Sequence, residues 1–171
     1  MNIPNTLTII RLFLIPVFIL VIFSNSPHSF IISMIIFIAS SITDVLDGYI
    51  ARKYNKVTKF GTLIDPLADK LTLLTVLFSL YIKKFIPIFI LIIVVLKELT
   101  MILGGLLLYK SNIIIPSNIF GKATTVLFFI GILSMLISKK LSIIILYIAL
   151  ISALIALGIY LKVFICKKEH N

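Results

Sequence analysis

Asp44, Asp47, Asp65 and Asp69 are four of only six acidic residues in a chain of 171, and they interrupt sequence that is otherwise strongly apolar. The pattern reads Asp44-x2-Asp47-Gly48-x2-Ala51-Arg52-x8-Gly61-x3-Asp65-x3-Asp69. A carboxylate in or near hydrocarbon costs roughly 2.5 kcal/mol or more, so acids placed there mark a partnered, functional site. Separations of three and four residues set each pair on one face of a helix. Two such helices side by side bring carboxylate oxygens to one point, which suits a hard divalent cation such as Mg2+ or Mn2+. Carboxylates this crowded stay ionised only when countered by positive charge. Arg52 and Lys70 are the cations nearest to them in sequence, and two divalent ions per site are expected. Two ions ~3.5–4 Å apart are a recurrent device for in-line phosphoryl displacement, clamping the attacking and leaving oxygens.

The elements that must position these residues are membrane helices. The chain is 61% hydrophobic, with mean hydropathy +1.24, which places it among integral membrane proteins. Six apolar runs separated by short polar clusters predict spans over Thr6–Phe23, Phe30–Ile50, Thr62–Ile82, Phe85–Tyr109, Asn118–Ile137 and Leu141–Ile165. Each has the ~17–25 residues that a bilayer core requires. The expected fold is all-α, a polytopic membrane protein with six transmembrane helices forming one domain over residues 1–171. Asp44–Arg52 and Gly61–Asp69 each rise ~12 Å along a helix. In an antiparallel pair joined by a short loop they lie side by side, with Gly48, Ala51 and Gly61 permitting close approach of a ligand or a neighbouring helix.

The acidic pattern resembles the signature of the CDP-alcohol phosphatidyltransferases, membrane enzymes that build phospholipid head groups; every defined position and spacing is met. The opening Asn5-x-Leu7-Thr8-x2-Arg11 also looks like the start common in bacterial phosphatidylglycerophosphate synthases. The resemblance implies transfer of a phosphatidyl group from CDP-diacylglycerol to sn-glycerol 3-phosphate, with release of CMP. It implies that Asp44, Asp47, Asp65 and Asp69 hold the metals and that Asp69 is the base for the acceptor hydroxyl. Gly48, Ala51, Arg52, Asn5 and Thr8 are expected to contact the CDP moiety, and Arg11, Lys110 and Lys122 the acceptor phosphate. Related enzymes form homodimers, and the same is expected here.

A net charge of +10 raises nucleic acid as a partner, but the basic residues are distributed as in a membrane protein. Arg11, Arg52, Lys53, Lys56, Lys59, Lys110, Lys122, Lys162, Lys167 and Lys168 fall at one side of the six spans, and Lys83, Lys84, Lys139 and Lys140 at the other. This bias predicts that both termini and the Arg52–Phe60 connection, with the acidic site, face the cytoplasm from the cell membrane. The basic rim favours anionic lipid there, by about 1 kcal/mol per well-placed charge. The first apolar run carries Arg11 within it and no small-residue cleavage site after Phe23, so it reads as a retained span. Cys166 is the single cysteine, which excludes an intrachain disulfide.

Lys97-Glu98 places two charges inside a span, either an internal pair that locks packing or part of a site. Bacterial phosphatidylglycerophosphate synthases commonly carry Arg-Glu here and a further Arg about eight residues on, where this chain has Gly105. They also carry Gly-Lys-x-Lys-Thr, against Gly121-Lys122-Ala123-Thr124-Thr125 here. Two cations that could grip an acceptor phosphate are thus replaced. A cardiolipin synthase that uses phosphatidylglycerol as acceptor is the alternative enzyme. A divalent-cation transporter is the alternative of another class, disfavoured by the site's position at one face and by the absence of inverted halves.

Overall fold

The computed structural model describes residues 3–53, 59–110 and 119–169. Its helices are α1 (Ile3–Ile22), α2 (Ser29–Lys53), α3 (Lys59–Ile82), α4 (Ile88–Lys110), α5 (Ile119–Leu133) and α6 (Lys139–Glu169), with a 3-10 turn at Ser134–Leu136. No strand occurs among the described residues. Runs as rich in Ile as these have a β preference in water. In hydrocarbon, each backbone N–H and C=O must be satisfied within its own segment, and the helix does this.

The boundaries follow local chemistry. Ser24 N–H donates to the Val21 carbonyl and Ser29 N–H to that of Ser26, closing the α1–α2 turn around Pro27. Lys84 takes a left-handed conformation (φ 59°) between α3 and α4. α4 starts at Ile88, directly after Pro87, where the missing N–H is harmless. Pro16 lies within α1.

Two helices contain stretches long and apolar enough to cross a bilayer by themselves, Ser29–Leu46 and Lys139–Lys162; Leu7–Ile22 and Ala123–Leu136 are apolar but shorter. The outward faces are as greasy as the inside. Phe13 is 68% exposed, Leu20 73% and Val45 69%, an arrangement suited to lipid as solvent. These stretches and the apolar surface suit a membrane protein.

Contacts divide it into two compact units, Met1–Lys83 and Lys84–Asn171. In the first, α1 packs on both α2 and α3, around Phe18, Ile22, Met34, Phe37, Val76, Leu77 and Leu80. The Lys83 ammonium sits 5.5 Å from the centre of the Phe23 ring at one end. In the second, α6 packs on α5 and α4. Gly131 allows the close approach of α5 to α6, since a Cβ there would lie 2.9 Å from Leu146 Cδ2. Ala149, Ala153 and Ala156 continue a buried small-residue stripe along α6, the packing mode of membrane helices. Lys139 Nζ donates to the Lys84 carbonyl at 2.9 Å, and Phe89 stacks with Tyr147 at 5.6 Å.

Candidate active site

The acidic motif occupies the last turns of α2 and the first turns of α3, within the first unit. Helix α1 brings two of its carboxylates together. Thr8 and Arg11, three residues apart, share a face of α1 and are 0% and 1% exposed. Arg11 Nη1 lies 2.5 Å from Asp44 Oδ1 of α2. Thr8 Oγ1 donates to Asp65 Oδ1 of α3 at 2.5 Å. Asp44 and Asp65 are close enough for each to feel the other's charge. One helix face therefore fixes one carboxylate from each of two other helices, and supplies a cation and a hydroxyl donor to do so.

This contact explains why a polar, cationic segment is buried at all. A segment of this composition could lie along the membrane surface, but the helix instead runs unbroken from Ile3 and turns Thr8 and Arg11 inward. Burial of a guanidinium is tolerable only with a counter-charge, and Asp44 provides it. The Asp44 side chain keeps 39% exposure, so the pair is desolvated at the Arg11 end and open at the carboxylate end.

Asp69 follows Asp65 by one turn on α3 and is half-buried, as is Lys70. The side chains of Asn5, Asp47, Gly48, Ala51, Arg52, Gly61, Lys110 and Lys122 lie outside the described residues. Lys110 ends α4 and Lys122 is in the first turn of α5, both helices of the second unit. Among the described residues no three His, Cys, Asp or Glu side chains gather as a metal site. The donors that do converge, carboxylate oxygens with a hydroxyl beside them, are of the type a hard divalent cation takes, with neither sulfur nor imidazole.

Sequence reasoning had no signal for what adjoins the carboxylates. A small crevice of about 10 Å3, room for roughly one water, is bounded by Leu14 and Phe18 of α1, Phe37 and Ser40 of α2, and Thr72 and Thr75 of α3. Ser40 precedes Asp44 by one turn, and Thr72 follows Asp69 by three residues, so the crevice adjoins the acids on the side toward the middle of α2 and α3. Thr72 bonds back to the Ala68 carbonyl, which satisfies its hydroxyl within the helix.

In the second unit, Lys97 Nζ meets Glu98 Oε1 at 2.5 Å, with both side chains buried. The two charges pair with each other along α4. Thr124, where the synthase pattern has a second Lys, is 1% exposed and lies 3.0 Å from Ser152 Oγ of α6. At this position the chain has a helix-packing hydroxyl.

With that geometry in place, comparison with known proteins assigns the family. A family model described as CDP-alcohol phosphatidyltransferase matches residues 1–155. The chain belongs to the CDP-alcohol phosphatidyltransferase family. Among its relatives, a protein of Rickettsia bellii (strain RML369-C) is 56% identical over 70 residues, which cover 41% of this chain and 39% of the relative. One from Aquifex aeolicus (strain VF5) is 32% identical over 136 residues, covering 78% and 75%. One from Bacillus subtilis (strain 168) is 33% identical over 136 residues, covering 72% and 70%. All three are named CDP-diacylglycerol–glycerol-3-phosphate 3-phosphatidyltransferase. The high-identity match with the rickettsial protein thus spans less than half of either chain.

Proposed function

We propose that this chain transfers a phosphatidyl group from CDP-diacylglycerol to sn-glycerol 3-phosphate, yielding phosphatidylglycerophosphate and CMP. The observation that carries the reading is the convergence of Asp44 and Asp65, from two helices of the family's signature, on one face of α1. The names borne by the relatives from Aquifex and Bacillus, which align along most of their length, support glycerol 3-phosphate as the acceptor.

Asp44, Asp47, Asp65 and Asp69 would hold divalent cations, Mg2+ or Mn2+, two per site. Such ions polarise the donor's pyrophosphate and stabilise the leaving CMP. Gly48 and Ala51 leave room at the end of α2 for the nucleotide, and Arg52 and Asn5 supply its polar contacts; the Thr8 hydroxyl, fully buried, is given to Asp65. Asp69, one turn beyond Asp65, takes the proton of the acceptor hydroxyl as that oxygen attacks phosphorus. Lys110 and Lys122 are the cations proposed for the acceptor phosphate; Arg11, fully buried against Asp44, serves that carboxylate instead. Because the family match crosses the boundary of both units, we read the chain as one phosphatidyltransferase domain with six membrane spans. Both termini and the acidic site face the cytoplasm, as the basic bias supports, and the enzyme works as a homodimer.

A specific observation keeps a second acceptor in view. Thr124 replaces a cation and packs against Ser152, which weakens the case for a doubly charged, water-soluble acceptor and favours phosphatidylglycerol, as in a cardiolipin synthase. The deciding experiment incubates purified protein with CDP-diacylglycerol, divalent cation and each acceptor in turn, and identifies the lipid product by mass. Phosphatidylglycerophosphate is expected; cardiolipin formed from phosphatidylglycerol, with glycerol 3-phosphate ignored at any concentration, would overturn the acceptor assignment.

A further inference from the structure

We infer that the end of the second unit opposite Lys110 and Lys122 binds an anionic phospholipid of the surrounding bilayer. Its phosphate sits among Lys84, Lys139 and Lys140, and an acyl chain runs along the adjoining faces of α4 and α6. The inference rests on the reading of the chain as a membrane protein and is independent of its donor and acceptor.

Three cations gather where α4 and α6 begin. Lys139 Nζ donates to the Lys84 carbonyl at 2.9 Å and lies 5.8 Å from the centre of the Phe85 ring, so the segments that carry Lys84 and Lys140 are held side by side. All three lysines are exposed. Like charges this close repel one another. Two of them open α6, where the helix dipole also disfavours a cation. Among the described residues no acid offsets them. Glu98 is about 15 Å along α4 from its first residue and is paired with Lys97. Glu169 closes α6 at its other end, and Asp69 is about 20 Å back along α3 from Ile82. A second copy in the same bilayer would present this same end at the same depth, so it brings no acid either. A lipid phosphate lies at that depth, and each well-placed lysine is worth a factor of about five in affinity for an anionic head group.

Next to the lysines the surface suits hydrocarbon. On α6, Lys140, Ile144, Tyr147 and Ile151 follow one another at helical spacing on one face, and all are exposed. On α4, Phe89 and Ile92 are exposed as well. Phe89 stacks with Tyr147 at 5.6 Å, which joins the two faces into one apolar strip leading away from the lysines. Charge for a head group and surface for an acyl chain are therefore contiguous. That pairing fits a lipid and not a free phosphate ion.

The test is native mass spectrometry of the purified full chain in detergent, titrated with phosphatidylglycerol or with phosphatidylcholine of the same acyl chains. The unaltered chain should hold a first phosphatidylglycerol more tightly than further lipids, with no such step for phosphatidylcholine. Lys84→Gln/Lys140→Gln leaves the Lys139 bond to the backbone carbonyl of residue 84 in place and should weaken the first step by about 10–30-fold. Lys140→Gln alone alters one exposed side chain; it should cost about fivefold and decides the matter if the double variant does not fold. Lys162→Gln/Lys167→Gln removes the same charge near the other end of α6 and should leave the first step unchanged. An equal fall in both double variants, a first phosphatidylcholine held as tightly, or displacement of the lipid by inorganic phosphate overturns the inference. So does a change of oligomeric state in lipid-free Lys84→Gln/Lys140→Gln, because this face would then be a contact between copies. An unaltered chain that stays monodisperse without detergent or lipid overturns the membrane reading as well.

Discussion

Replacing Lys97 by Met removes one half of a desolvated ion pair and leaves the other in place. The side chains of Lys97 and Glu98 keep only 10% and 6% exposure, and their charged atoms lie 2.5 Å apart. Consecutive residues on a helix do not face one another, so both long side chains bend to meet. That posture is worth its entropy only where water cannot serve instead. Removing one partner of such a pair costs about 3–5 kcal/mol, because the remaining charge is stranded. Glu98 makes a further interaction, so the lower end, about 3 kcal/mol, is expected. For a chain of this length each kcal/mol moves Tm by roughly 2–4 °C, giving a fall of about 6–12 °C. Lys97→Met/Glu98→Leu removes both charges and should recover most or all of that loss, since replacing a whole buried pair by apolar residues is often neutral or stabilising. Thermal unfolding in detergent, followed by far-UV circular dichroism across the four members of the cycle, gives the coupling directly. Additive losses, or a single variant that melts with the parent, would refute the buried-pair account. Activity separates the remaining possibility: if the double variant regains its Tm yet its KM for glycerol 3-phosphate rises steeply, the pair touches the acceptor.

Further outcomes are expected at the site. Excess chelator should abolish turnover, as should Asp44→Asn or Asp65→Asn; full activity in chelator would remove metal from the mechanism. Asp69→Asn should still bind CDP-diacylglycerol while turnover falls by roughly two to four orders of magnitude, measured as CMP release; parental rates would exclude Asp69 as the base. Lys122→Ala should raise the apparent KM for glycerol 3-phosphate far more than that for the CDP-lipid, because only the acceptor loses a cation; equal effects on both would place Lys122 elsewhere. In a Cys166→Ser background, cysteines in the 53–59 connection should be shielded from an impermeant reagent in intact cells, while those at Ser26 or Lys84 should react. The reverse pattern would invert the topology.

The helices were legible because the membrane leaves the backbone few options. The observed α2 and α3, Ser29–Lys53 and Lys59–Ile82, contain the expected spans with their acids and extend beyond them, α2 on to Lys53 and α3 back to Lys59. There, polar residues continue a helix that apolarity no longer marks. α4 begins three residues later than its apolar run, since hydropathy does not register that Pro87 sets the start. α5 gives way at Leu133 to a 3-10 turn, although the apolar pattern runs on to Ile137. Ser134 Oγ bonds to the Gly131 carbonyl, and Ser142 Oγ reaches the same carbonyl at 2.7 Å. Such side chain-to-backbone bonds compete with the regular helix and leave no trace in periodicity.

At the site, the acids themselves were visible because their cost in hydrocarbon makes them conspicuous, and their spacing alone sets them on helix faces. The parts played by Thr8 and Arg11 were not visible, for a physical reason. A threonine and an arginine near the start of an apolar helix satisfy two descriptions equally well, surface residues with a snorkelling charge or buried donors with acceptors on other helices. Only the packing of α1 against both α2 and α3 distinguishes them. Once that packing is known, the buried guanidinium needs an anion and finds Asp44, and the buried hydroxyl needs an acceptor and finds Asp65. The functional consequence runs in the same direction. The carboxylates that make burial of Thr8 and Arg11 tolerable are themselves held in place by them, so a change at Thr8 or Arg11 should be felt in helix packing and in turnover alike.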